Sequence, residues 1–170
     1  MTRTIYCVPI MHHLSECYDS WNKTSILNQE YHQYLEIYWD NILEHIRPLS
    51  VQKIYQDGYT EGTDLSKVPK NTPNTIALER LISQGIQLMP TESLELLKQE
   101  STDTLELRDK YIANQINQTL NDTENAILFI GAGHSSKYLL ELTNLNCEKL
   151  SISGFDKLKG HWNEMLWFSH

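Results

Sequence analysis

The chain reads as one α/β domain, with about five mostly parallel strands flanked by helices. Short apolar runs alternate with longer helical patterns along the whole length, the signature of βαβ units with right-handed crossovers. Two of those runs, Thr4–Ile10 and Ala126–Ile130, are almost continuously apolar, as strands covered on both faces are. The 170 residues are 40% apolar and 21% charged, which suits a single domain with a real core spanning 1–170.

The elements follow in order. Thr4–Ile10 is the first strand. A loop leads to a helix from about Asn28 to Ile46, whose Tyr31, Tyr34, Leu35, Tyr38, Ile42 and Ile46 recur at the helical period. Pro48 stops it. Residues 51–56 form a second strand, and Asp57 to Asn71 a loop long enough to be functional. Thr72-Pro73 places an N-cap before a proline at the first helical position. That helix turns Ile76, Leu78 or Leu81, and Ile82 inward and ends near Gly85. Ile86–Met89 is a third strand. A short helix begins at Thr91 and a longer one at Ser101 or Thr102, reaching about Leu120. Residues 126–130 are the fourth strand, with a short helix over Ser136–Leu142, and Lys149–Phe155 is the fifth. The tail from Lys157 to His170 is aromatic. It packs over the sheet edge in the simpler reading, and makes a homodimer contact in the other.

Charge and composition exclude several functions. A net charge of −8 with no basic run argues against nucleic acid, which demands clustered Lys and Arg. No apolar stretch reaches membrane length, and no leader peptide is visible at the start. Cys7, Cys17 and Cys147 form no C-x-x-C pair, so free thiols and a cytoplasmic location are expected. Cys7, inside the first strand, reads as a small core residue.

The chemistry gathers at strand ends. The run Ala126-Ile-Leu-Phe-Ile-Gly131-Ala-Gly133-His134 delivers a histidine through two glycines. Those glycines permit a sharp turn or close approach of a ligand, and Ser135 or Ser136 can cap the next helix. Thr4 to Ile10 leads likewise to His12 and His13, only one of which can face a cleft. Residues 51–56 lead to Asp57-Gly58. Parallel sheets bind ligands outside the carboxyl ends of their strands, so His12, Asp57 and His134 should share one rim. Two imidazoles and a carboxylate make a partial shell for Zn, Mn, Co or Fe. Arg108 can hold a substrate anion or developing negative charge, or it pairs with Glu106 or Asp109. Glu92 is a further site acid or a first-turn glutamate favoured by the helix dipole. Gly131-x-Gly133-x-x-Ser136 lacks the third glycine of a dinucleotide fingerprint. Removing His134, which leaves a glycine turn, should cost little stability. Pro9 lacks an amide, so strand pairing should end at or just before it if the first strand is central.

Four of these features occur in a recognisable order: Pro9-Ile-Met-His12, Asp57 after the second strand, Arg108 on a late helix, and Gly131-Ala-Gly-His134. In this the chain resembles the superfamily of TraB/PrgY-type proteins, TIKI metalloproteases, erythromycin esterases and ChaN-like haem-binding proteins. That group carries two G-x-x-H motifs with an acid and an arginine between them. Here proline replaces the first motif's glycine, and aspartate stands where glutamate is common. The resemblance spans about residues 4 to 140. It implies an intracellular metal-dependent hydrolase acting on a small-molecule or peptide substrate. His12, Asp57 and His134 would hold the metal, Arg108 and His134 would serve catalysis, and Gly131 and Gly133 would line the cofactor. A non-catalytic protein binding haem or another small ligand in the same cleft is the other function the resemblance allows.

Overall fold

The computed structural model describes residues 3–12, 26–63, 71–99, 102–131, 134 and 145–167. Five strands form one all-parallel sheet. They are β1 (Thr4–Ile10), β2 (Lys53–Gln56), β3 (Gln87–Met89), β4 (Ala126–Gly131) and β5 (Asn146–Lys149), in the spatial order β3-β2-β4-β1-β5. The helices among the described residues are α1 (Ile26–Ile46), α2 (Pro73–Ser83), α3 (Leu94–Leu97), α4 (Thr102–Thr119) and α5 (Phe155–Trp167). The α/β architecture expected from the alternating pattern is what the chain adopts. No helix among the described residues is long and apolar enough to cross a membrane.

Strand pleating sorts the core into two layers. Val8, Ile10, Ile54, Ile127 and Phe129 point to one face, beneath α1, α2 and α5. Ile5, Cys7, Tyr55, Ala126, Leu128 and Ile130 point to the other, beneath Ile112, Ala113, Ile116 and Leu120 of α4. The central β4 is buried along its whole length, which explains its unbroken apolar run. Trp39 of α1 stacks edge-on against Phe129, ring centroids 5.1 Å apart. Truncating an aromatic packed this deeply costs about 3–5 kcal/mol.

Several local expectations shift. Thr72 caps α2 as expected, accepting from the Thr75 amide. Yet α2 buries Ala77, Leu78 and Leu81 and leaves Ile76 40% exposed, so its inward face is rotated by one residue from the expected one. The short helix begins at Leu94 rather than Thr91. β5 occupies Asn146–Lys149, ending where the expected strand begins, because its apolar successors Leu150 and Ile152 turn into the core. The described part of the tail is helical, within α5, and packs on α1. Trp162 meets Tyr31 at 5.5 Å and Phe155 meets Tyr38 at 5.6 Å. Cys17, His13 and the expected helix over 136–142 lie outside the described residues.

Pro9 shows why a central strand tolerates it. β1 is interior, between β4 and β5. Its ladder with β5 ends at Cys7, but its ladder with β4 continues through Pro9 to Ile10. Cys7 offers its carbonyl to Leu150 on the β5 side, and Pro9, two residues on, faces the same way. Its missing amide therefore falls where pairing has already ceased. No bond to β4 is lost, and the Pro9 carbonyl is taken by the Tyr38 hydroxyl instead.

Candidate metal centre

Asp57 follows β2 in a turn that the Tyr59 amide closes onto the Gln56 carbonyl. Gly58 occupies the third position at φ 79°, where a side chain would be strained. The Tyr59 carbonyl then accepts from both Thr91 and Glu92 amides, and the Thr91 hydroxyl accepts from the Gln56 amide. These bonds extend the β2–β3 pairing beyond the strands and bring Glu92 beside Asp57. From β4, Asp57 receives the Gly131 amide on Oδ2 at 2.8 Å. The approach is so close that a Cβ on Gly131 would collide with that oxygen. This is the structural reason for a glycine there.

Across the cleft, α4 supplies two consecutive side chains. Arg108 donates through Nε to Glu92 Oε2 at 2.9 Å, and through Nη2 to Glu92 Oε1 and to Asp57 Oδ1 at 3.0 Å. The next residue, Asp109, meets His134 Nδ1 through Oδ1. His134 in turn directs Nε2 to Asp57 Oδ1 at 3.5 Å, and its amide donates to the Gly131 carbonyl. Ligand atoms of Asp57, Glu92 and His134 all lie within 4.8 Å of one another. His12 sits at the solvent side with Nε2 4.0 Å from Asp57 Oδ2 and a side chain 38% exposed, whereas those of Asp57 and His134 are buried.

Thus His12, Asp57, Arg108, Gly131 and His134 are brought to one rim, at the carboxyl ends of β1, β2 and β4. Gly133 lies outside the described residues. Two expectations change. Arg108 is paired with Glu92 and Asp57 instead of Glu106 or Asp109, so its charge is spent on the protein's own carboxylates. His134 is enclosed in ion pairs rather than standing free in a glycine turn.

Electrostatics follow from this enclosure. Burial pushes the Asp57 carboxyl up, but hydrogen bonding by His134 and Glu92 and the charges of His134 and His12 outweigh it and hold Asp57 well below the usual carboxylate range. Burial raises Glu92, and the adjacent Asp57 adds to the rise against the pull of Arg108. Burial alone would lower His134; Asp109 and Asp57 instead lift it to about 9. His134 is therefore an imidazolium when its only partners are carboxylates.

Sequence reasoning undervalued two acids. Glu92 was visible, but a glutamate before a short helix also suits the helix dipole. Asp109 carried a clearer signal: it shares the spacing of Ile112, Ala113, Ile116 and Leu120, the face of α4 that packs on the sheet. An acid in an apolar stripe must find a partner. A larger cavity of about 390 Å³ lies at the amino ends of the strands, between Arg47 of the α1–β2 turn and Arg80 of α2, far from this chemistry. Comparisons with protein-family models, curated proteins and solved structures return no match for this chain.

Proposed function

We propose that this rim is a divalent transition-metal centre serving hydrolysis, with Asp57 and His134 at its heart and His12 and Glu92 flanking them. The observation that carries the reading is the convergence of Asp57, Glu92 and His134 donor atoms within 4.8 Å. Imidazole and carboxylate donors suit Zn, Mn, Co or Fe. The Asp109–His134 bond gives independent support. It fixes the ring through Nδ1 and leaves Nε2 toward the carboxylates, as carboxylate partners do for metal-binding histidines. The ordered pattern that resembles the TraB/ChaN-like group points the same way.

A bound metal supplies Lewis acidity and a water of lowered pKa. The chain's own residues do the rest. Arg108 offsets the repulsion between Asp57 and Glu92, so two acids can stay close before the metal enters. The Gly131 amide orients Asp57 Oδ2 away from Arg108. Asp109 holds the His134 tautomer. His12, the most exposed of the set, marks the side from which a small-molecule or peptide substrate approaches.

Metal analysis of protein purified without an affinity tag tests this. Stoichiometric Zn, Mn, Co or Fe is expected, lost in Asp57→Asn and His134→Ala. Absence of metal, with no retention of added Zn or Co, would refute it. A visible haem band would transfer the site to the ligand-binding function.

A further inference from the structure

β5 stops pairing at Lys149, while β1 runs on along β4 to Ile10. Beside this step lies a recess of about 160 Å³, lined by Pro9, Gly131, His134, Lys149, Phe155 and Lys159 among others. It adjoins the candidate metal centre through Gly131 and His134. Two of the chain's 14 basic residues border it, in a protein of net charge −8, so the positive charge here runs against the overall balance. Neither lysine forms an ion pair among the described residues. Glu148 alternates to the other face of β5 from Lys149. Buried Cys7, which also lines the recess, has its thiol pushed up to about 12 by burial, so it adds no negative charge.

We propose that this recess binds the oxyanion arm of the substrate, a phosphate or carboxylate group gripped by Lys149 and Lys159. A whole drug-sized ligand needs about 300 Å³ or more, so the recess takes a group rather than a molecule. Ammonium groups serve as point-charge anion holders. Pro9 and Phe155 give it apolar walls. That the anion is part of a substrate rests on the hydrolase reading, but binding of the anion needs no metal.

The test uses the full chain, treated with a chelator and held at constant ionic strength. Inorganic phosphate and, separately, acetate are titrated while the backbone amide signals of Lys149, Phe155 and Lys159 are followed by NMR. Saturable shifts are expected with at least one anion. The Lys149→Ala/Lys159→Ala double variant should weaken binding by about tenfold or more. Both lysines are exposed, so the variant should fold. Lys157→Ala, whose ammonium lies over the Tyr34 ring, should change nothing. Binding of phosphate alone assigns phosphoryl-bearing substrates; acetate binding admits carboxylates. Absence of saturable binding, or binding indifferent to the double variant, overturns the proposal. Because no metal is present, that result is separate from the outcome of the metal analysis.

Discussion

Replacing Gly131 with alanine probes the tightest contact in the centre. The added methyl would sit inside the van der Waals surface of Asp57 Oδ2. That oxygen is not the loose end of a long chain. Asp57 is 8% exposed, receives the Gly131 amide at 2.8 Å, and is held by Arg108 at 3.0 Å on its other oxygen. Relief therefore requires the carboxylate or β4 itself to withdraw, and either movement stretches charge-assisted hydrogen bonds. Such bonds contribute about 1.5–3 kcal/mol each, and overpacking alone costs about 1–3 kcal/mol. The expected loss is about 2–4 kcal/mol in urea unfolding of the metal-free protein, together with loss of metal retention. Gly160→Ala is the control: it is helical, exposed, and a Cβ there meets nothing within 4 Å. It should be stabilised by about 0.5–1 kcal/mol. A Gly131→Ala protein within about 0.5 kcal/mol of wild type, with its metal content unchanged, would refute the claim that Asp57 is fixed from behind by β4.

The ion pairs make the stability of the centre depend on pH and on Arg108. The metal-free protein should lose stability as pH rises through about 9, because His134, raised from 6.5, gives its full contribution below the unfolded value and loses it above the folded one. The loss should be on the order of 3 kcal/mol, read from urea midpoints between pH 6 and 10 (about the range His134 spans), and absent in His134→Asn. Asp57 acts at the other end: its lowered pKa gives stability present above the unfolded carboxylate value and lost as acid protonates it. Arg108→Leu should cost about 3–5 kcal/mol by leaving buried carboxylates uncompensated. Arg108→Lys should recover little, since an ammonium cannot reproduce the Nε and Nη2 fork on Glu92; full recovery of thermal stability in the lysine variant would show that charge alone suffices.

The fold was legible because strand and helix periods differ so clearly in Thr4–Ile10, Ala126–Gly131 and the aromatic stripe of α1. The elements that were misjudged are those whose limits depend on packing. β5 is exposed and polar at Asn146 and Glu148, so its sequence resembles a loop, while the apolar stretch after it serves the core without being a strand. Ile76 follows a helical period but faces outward, while Ala77, one residue on, is the one buried. The candidate site was legible as strand ends carrying titratable groups, which placed His12, Asp57 and His134. Its second half was legible only in part: Glu92 and Arg108 stood out as candidates, but their pairing with each other and with Asp57, 51 residues from Arg108 along the chain, did not, and Asp109 stood out only as a neighbour of Arg108.

The charges of the centre also dictate how a metal could enter it. Asp57, Glu92 and Asp109 are buried acids, set against Arg108 and an imidazolium His134. Charge is thus nearly balanced before any metal arrives, which is what lets these acids stay buried together. Arg108 keeps its proton throughout, so it cannot yield to a divalent ion by deprotonation. His134 can: losing the proton from Nε2 removes one positive charge and exposes a lone pair directed at Asp57. Asp109 remains on Nδ1 to hold the ring in place. On the proposed reading, metal capture would exchange an ion for a proton at His134, and affinity should rise with pH toward about 9. The same network resists entry at low pH, where the imidazolium already fills the place between the carboxylates. Arg108 gives the pocket its shape, and His134 gives it its switchable charge.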